Sequence, residues 1–192
     1  MSEPGLGGRS VRTLVVDGSP RGGGRTATAL AAVAAGVEEA GGTSAIVSLS
    51  GDPVVRASEV VAKASGFDAF VFGTPTYRAS YTAELKFLLD RMPRGLWGET
   101  EAPLRARAVA VVVTGASLHH FLAVDALRNV LAGFFSAFVV PPGLYVPHEG
   151  FDDSGVLLDE WSVAASLQGR ALVELARAIT ASPSLLAVAP QA

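Results

Sequence analysis

Three unbroken apolar runs, at residues 14–16, 69–72 and 109–113, constrain this chain more than any other feature. A strand with one face in water alternates apolar and polar residues, whereas a strand covered on both faces reads as a continuous apolar run. Segments of helical spacing separate the runs, so the sheet is expected to be parallel and its strands joined by helical crossovers. Strands are predicted at residues 11–17, 44–49, 67–73 and 107–115, with a broken fifth at AFVVP and GLYVP. Helices are predicted at 26–40, ending on Gly41-Gly42, at 54–65, 82–91, 119–133 and 161–181. The third helix buries Leu85, Leu88, Leu89 and Met92, the fourth Leu122, Leu127, Val130 and Leu131, and the last Leu172, Leu175, Ala176 and Ile179. Right-handed crossovers leave few topologies, and the favoured one is an α/β doubly wound five-stranded parallel sheet of order 2-1-3-4-5 with helices on both faces.

With 192 residues and 49% apolar content, the chain is sized for one domain with a real core. That domain is expected over residues 11–181, between a flexible start (1–10) and a flexible tail (182–192). A formal net charge of −3 argues against a nucleic-acid partner. It also fits poorly with a protein that docks through a strongly acidic surface. The lack of cysteine removes disulfides, thiolate metal sites and a Cys nucleophile. His119 and His120 are neighbours and His148 is distant, a poor arrangement for a metal. The most apolar stretch, 131–146, is too short for a membrane span and is broken by Pro141-Pro142. The start MSEPGLGGRS has no apolar core for a signal peptide, so a cytoplasmic protein without membrane or metal is expected.

Ligands of such sheets lie outside the carboxyl ends of the strands, which directs attention to three loops. The first, GSPRGGGRT (residues 18–26), joins a strand to a helix N-terminus. Unpaired N–H groups there favour a phosphate, Ser19 and the threonines add hydroxyls, and Arg21 or Arg25 can grip phosphate oxygens. It is neither a dinucleotide G-x-G-x-x-G nor a P-loop; the plain alternative is a flexible turn. In the second, GTPTYRASYT (residues 73–82), Pro75 stiffens a loop whose Tyr77 and Tyr81 can pack on a flat ligand, and Ser80 can cap the next helix. The alternative makes the tyrosines satellite core and leaves Arg78 in solvent. The third, TGASLHH (residues 114–120), brings small residues and N–H groups to a planar group's edge, or is simply a turn into a helix with Ser117 as cap.

GSPRGGGRT, GTPTYRASYTAELKFLLDRMP and TGASLHHFLAVDALRNVL together resemble the flavodoxin-like NAD(P)H-dependent FMN reductases, nearest to those serving alkanesulfonate monooxygenases. The resemblance spans about residues 11–178. It implies an FMN phosphate held by Ser19, Arg21, Arg25, Thr26 and Ala27. It implies an isoalloxazine lined by Pro75, Thr76, Tyr77 and Arg78, with Ser80 behind, and a pyrimidine end facing Thr114, Gly115, Ala116 and Ser117. The implied reaction is hydride transfer from NADPH or NADH to flavin N5, with no catalytic side chain because the flavin carries the chemistry. Reduced flavin then serves a monooxygenase, or the bound flavin reduces a quinone, an azo compound or another acceptor. A non-enzymatic electron carrier or sensor on the same fold is the alternative. Homodimers or homotetramers are implied. A 2′-phosphate would want an arginine, and Arg78 or Arg94 could serve.

Three positions depart from the family pattern. Gly24 replaces a phosphate-loop serine. Ala83 replaces a glycine and favours the helix. The fourth helix reads Val124-Asp125-Ala126-Leu127, without the inserted tyrosine of the sulfonate-system reductases, which predicts an ordinary helix rather than a π-bulge. Trp97, between Gly95 and Gly98, is expected to fill a surface hollow rather than cover a neighbour's flavin.

Overall fold

The computed structural model describes residues 9–191. Its strands are β1 (Arg12–Asp17), β2 (Thr43–Ser48), β3 (Ala69–Pro75), β4 (Ala108–Thr114), β5 (Phe138–Val139) and β6 (Leu144–Val146). Its α-helices are α1 (Arg25–Glu39), α2 (Pro53–Ala64), α3 (Ala83–Leu89), α4 (Ala123–Asn129), α5 (Asp159–Thr180) and α6 (Pro183–Leu186). The sheet order is β2-β1-β3-β4-β5, every pairing is parallel, and β6 also pairs with β4. The expected topology is therefore present. The broken fifth strand is two strands that share the edge of β4, separated by Pro141 and Pro142, which have no N–H to give a ladder.

Each face of the sheet carries its own core. On one, Phe70 and Phe72 stack at a centroid distance of 6.0 Å beneath α2, α3 and α4. On the other, small residues (Ala69, Val71, Ala108, Ala110) lie under α1 and α5. These two helices meet closely at Gly36 and Gly169. A Cβ on Gly36 would overlap the Ser166 carbonyl, and one on Gly169 the Val33 carbonyl. Glu39 accepts from both Ser166 Oγ (2.7 Å) and Arg170 (2.8 Å) across the same crossing, which holds its carboxyl below the ordinary carboxylate range.

Local signals set the helix ends. Asp52 caps α2 by accepting from Val54 and Val55 N–H. Helix α1 ends with Gly41 N–H on Glu38 C=O and Gly42 N–H on Val37 C=O, and Gly41 has φ +76°, the left-handed glycine ending. The cap of α3 is Thr82, whose Oγ1 accepts from Leu85 N–H. Ser80 is not the cap. It closes a two-residue hairpin with Tyr77 instead, through N–H···O bonds of 2.9 and 3.1 Å. The turn positions, Arg78 (φ +52°) and Ala79 (φ +62°), are both left-handed, a conformation normally taken by Asn-Gly.

Other expectations fail near the surface. Leu122 is 61% exposed, because residues 118–120 form a 3₁₀ turn that rotates it out while Ala123 and Val124 turn in. Helix α4 is ordinary at Val124–Leu127, but its end, Val130–Phe134, widens into a π-turn with Phe135 N–H on Val130 C=O. Leu127, Leu131 and Phe135 are all fully buried at intervals of four, and a wider turn keeps such a column on one face. Trp97 fills no hollow: it is 83% exposed. The flexible start falls mostly on residues outside those described; Arg9 pairs with Asp68 and Ser10 Oγ bonds to Gly41 C=O. Within residues 182–191, Pro183–Leu186 form α6 under the Ser182 cap, and Arg105 donates to Val188 C=O at 3.1 Å.

These contacts set the stability expected of three variants. Gly36→Ala should cost about 1–3 kcal/mol in chemical denaturation despite alanine's better helix propensity, because the methyl forces α1 from α5. Gly133→Ala, with nothing within 4 Å of the added carbon, should cost nothing measurable. Ala79→Gly should stabilise by about 0.5–1 kcal/mol, since relief of left-handed strain exceeds the added freedom of the unfolded chain.

Candidate functional site

The carboxyl ends of β1, β3 and β4 open into one cavity of about 580 Å³. Cofactor clefts run from roughly 300 to 1,000 Å³, so a flavin-sized ligand fits this volume. Ten of the residues expected from the sequence line it: Ser19, Arg21, Arg25, Thr26, Pro75, Thr76, Tyr77, Thr114, Gly115 and Ala116. Four do not line it. Ala27 is half-buried in the first turn of α1, and Arg78 sits exposed at the hairpin tip. Ser80 stands across the hairpin from Tyr77, and Ser117 places its Oγ 3.2 Å from His119 Nδ1.

The β1–α1 loop forms the positive side. Gly22 and Gly23 both have φ near +63°, so the chain coils there as only glycine does without strain. Gly24 is the N-cap of α1 and offers no side-chain bond, and no acidic residue lies in the first turn. The amides of that turn and the positive end of the helix dipole are therefore uncompensated. Arg21 and Arg25 are exposed, and neither forms an ion pair among the described residues. Arg25 lies over the Phe151 ring at 5.8 Å. Among the described residues no carboxylate lines the cavity. This combination attracts an anion, and a phosphate suits its donors.

Buried hydroxyls hold the three loops in register. Thr82 Oγ1 donates to Gly18 C=O at 2.7 Å and Thr82 N–H donates to Thr74 Oγ1, which joins the first loop to the second. Thr26 Oγ1 lies 2.7 Å from Thr114 Oγ1, which joins α1 to the end of β4. Thr76 N–H donates to Thr114 C=O at 2.7 Å, and Gly115 N–H to Val146 C=O at 3.0 Å. With Gly115 so engaged, the next amides, that of Ala116 in the wall and that of Ser117 beside it, donate no backbone hydrogen bond among the described residues. Thr76 Oγ1 is buried in the wall, where it neighbours the Tyr145 phenol.

His148, in the 3₁₀ turn after β6, also lines the cavity. Sequence reasoning missed it together with Tyr145, whose phenol donates to Ser117 C=O at 2.7 Å. The signal was available: both lie at the carboxyl end of the fifth strand, where the strand-end rule applies as it does for the other loops.

The sequence model of a family described as NADPH-dependent FMN reductase matches residues 11–152. An NAD(P)H-dependent FAD/FMN reductase of Geobacillus thermodenitrificans is 30% identical over 101 residues, covering 53% of this chain and 51% of that protein. The NADH-dependent FMN reductase SfnF of Pseudomonas putida is 38% identical over 85 residues, covering 44% and 42%. The chain thus spans about half the length of the curated relatives it matches. Among solved structures, an apo NADH:FMN oxidoreductase (EMOB) aligns with a TM-score of 0.72 at 23% identity over 92% of this chain and 94% of that one. A WrbA-like flavodoxin from Agrobacterium tumefaciens aligns at 0.69 and 22%, covering 88% and 99%. These structures share the fold, and the family match over residues 11–152, with all three loops inside it, shows that this chain belongs to the NADPH-dependent FMN reductase family.

Proposed function

We propose that this chain is a cytoplasmic NAD(P)H:flavin oxidoreductase that seats FMN across its three loops as one domain over residues 11–181. The observation that carries the reading is the convergence of those loops on one cavity lined by no described carboxylate, with Arg21 and Arg25 at the α1 end and Tyr77 and His148 among its other walls. Arg21, Arg25, Ser19 and the first-turn amides of α1, including those of Thr26 and Ala27, hold the phosphate. Pro75, Thr76 and Tyr77 lie along the ring, backed by the hairpin of Arg78 and Ser80. Thr114 and Gly115 shape the pyrimidine end, and the Ala116 and Ser117 amides stabilise negative charge there. When bound, FMN would supply the redox chemistry, that of a hydride acceptor from NADPH or NADH. The chain needs no general acid for this, and none of the described carboxylates lines the cavity.

A monooxygenase or another acceptor would take the reducing equivalents. Exposed Leu118, Phe121 and Leu122 beside the third loop support a homo-oligomer that covers them. Among the described residues no helix is long and apolar enough to cross a membrane.

Purified protein mixed anaerobically with FMN and NADPH or NADH should oxidise the nicotinamide and bleach the flavin band; oxidation of neither nucleotide defeats the reading. Arg21→Ala should weaken FMN binding by about 1.5–3 kcal/mol in a fluorescence titration, the range for a charge-assisted contact, and leave the melting temperature unchanged. An unchanged titration would return Arg21 to the solvated surface.

A further inference from the structure

The edge of the cavity at Gly115–Ser117 rests on a residue that does not line it. Tyr145, in the middle of β6, is 8% exposed, with its ring packed into the core on the α2–α4 face of the sheet. Its phenol donates to Ser117 C=O at 2.7 Å. The same oxygen lies so near Gly115 that a Cβ there would overlap it, with the Cζ carbon 2.7 Å from that Cβ. Gly115 N–H is meanwhile held by Val146 C=O, the residue after Tyr145. Strand β6 thus grips the turn after β4 twice, through a backbone bond at its start and a phenol at its end. The only amides left free to turn, those of Ala116 and Ser117, lie between the two grips.

We propose that Tyr145 is a positioning residue for the flavin: its phenol fixes the Ala116–Ser117 amides toward the pyrimidine end and so sets how strongly the reduced ring is favoured over the oxidised one. This rests on the flavin reading above. The hydrogen bond is a donation, which requires the protonated phenol. Burial raises the phenol's pKa, the Thr76 hydroxyl opposes that shift and the Glu149 carboxylate adds to it, so the donor persists at neutral pH. Amides aimed where charge develops act most on the reduced ring, because the oxidised ring carries less negative charge at that edge. Loss of the grip therefore acts on the balance between the two states more than on folding.

Tyr145→Phe keeps the ring and removes only the oxygen. The midpoint potential of the bound flavin, its dissociation constant in the oxidised state and thermal melting are measured for both proteins. The expected result is a potential about 30 mV more negative, equivalent to a tenfold loss of preference for reduced flavin in a two-electron couple. Oxidised-flavin affinity should change far less and melting hardly at all. A variant with FMN bound at the wild-type potential overturns the role of Tyr145 while leaving the flavin reading intact. Wild-type protein that takes up no FMN overturns both. Gly115→Ala supplies the converse test: its added methyl meets the phenol oxygen first, so its loss of FMN affinity should be partly recovered in the Tyr145→Phe background. Equal losses in the two backgrounds would also overturn the proposal.

Discussion

The junction between β1 and β3 is the constraint on which the rest depends. Gly18 N–H donates to Gly73 C=O at 2.7 Å, which extends the ladder one step beyond Asp17 and brings two loop origins side by side. A Cβ on Gly18 would come within 2.8 Å of that carbonyl, and one on Gly73 within 2.5 Å of Leu30 on α1. The close approach fixes where α1 starts and how far the second loop stands from it. Because β1 pairs with β2 on its other side, the chain reverses its direction of winding at this junction, and the crevice opens there. Fold and site therefore share one requirement, and a side chain at either glycine disturbs both.

Around that junction the site is ordered by hydroxyls rather than charges. Thr74, Thr82, Thr26 and Thr114 are all buried and bonded to one another or to backbone. Threonine suits these positions because its branched Cβ fits a strand or cap and its hydroxyl can both donate and accept. Charge is reserved for the phosphate end, where Arg21 and Arg25 stay exposed and unpaired among the described residues and a helix begins without a capping side chain. Gly24 gives up a hydroxyl, but as an extended cap it leaves the first-turn amides accessible, so the loop still presents donors to an anion.

The parts legible in the sequence are those where burial leaves little choice. Doubly covered strands must be apolar throughout, so β1, β3 and β4 could be read directly, and the ligand loops follow from their ends. Turn chemistry was less legible. The capping role passed from Ser80 to Thr82 because Ser80 is engaged by Tyr77 in a left-handed hairpin, and nothing in Arg78-Ala79 advertises that turn. Leu122 and Trp97 carry apolar side chains at positions where the backbone points outward, and a periodicity argument cannot see a 3₁₀ turn or a positive φ. The π-turn ending α4 comes without the inserted tyrosine, and the four-residue spacing of Leu127, Leu131 and Phe135, which an ordinary helix face also shows, does not advertise it.

The fifth strand shows how an irregularity can place a functional group. Val109 pairs with Val139 and Val112 with Leu144, so the edge strand advances five residues while β4 advances three. The two extra residues leave the sheet with Pro141-Pro142-Gly143. An excess of one would have exchanged the faces of everything that follows, whereas an excess of two keeps the alternation in phase. Val139 and Tyr145 accordingly pack on one face, and Phe138, Val140, Leu144 and Val146 on the other. The excursion frees β6 to run to the very end of β4, with Val146 opposite Thr114, which sets Tyr145 beneath the third loop and carries His148 to the rim of the cavity. An uninterrupted strand with the pairing of β5 would place residue 143, a glycine, opposite Val113 in place of Tyr145. It would therefore put no phenol under Gly115, so the break in the strand is what completes the site.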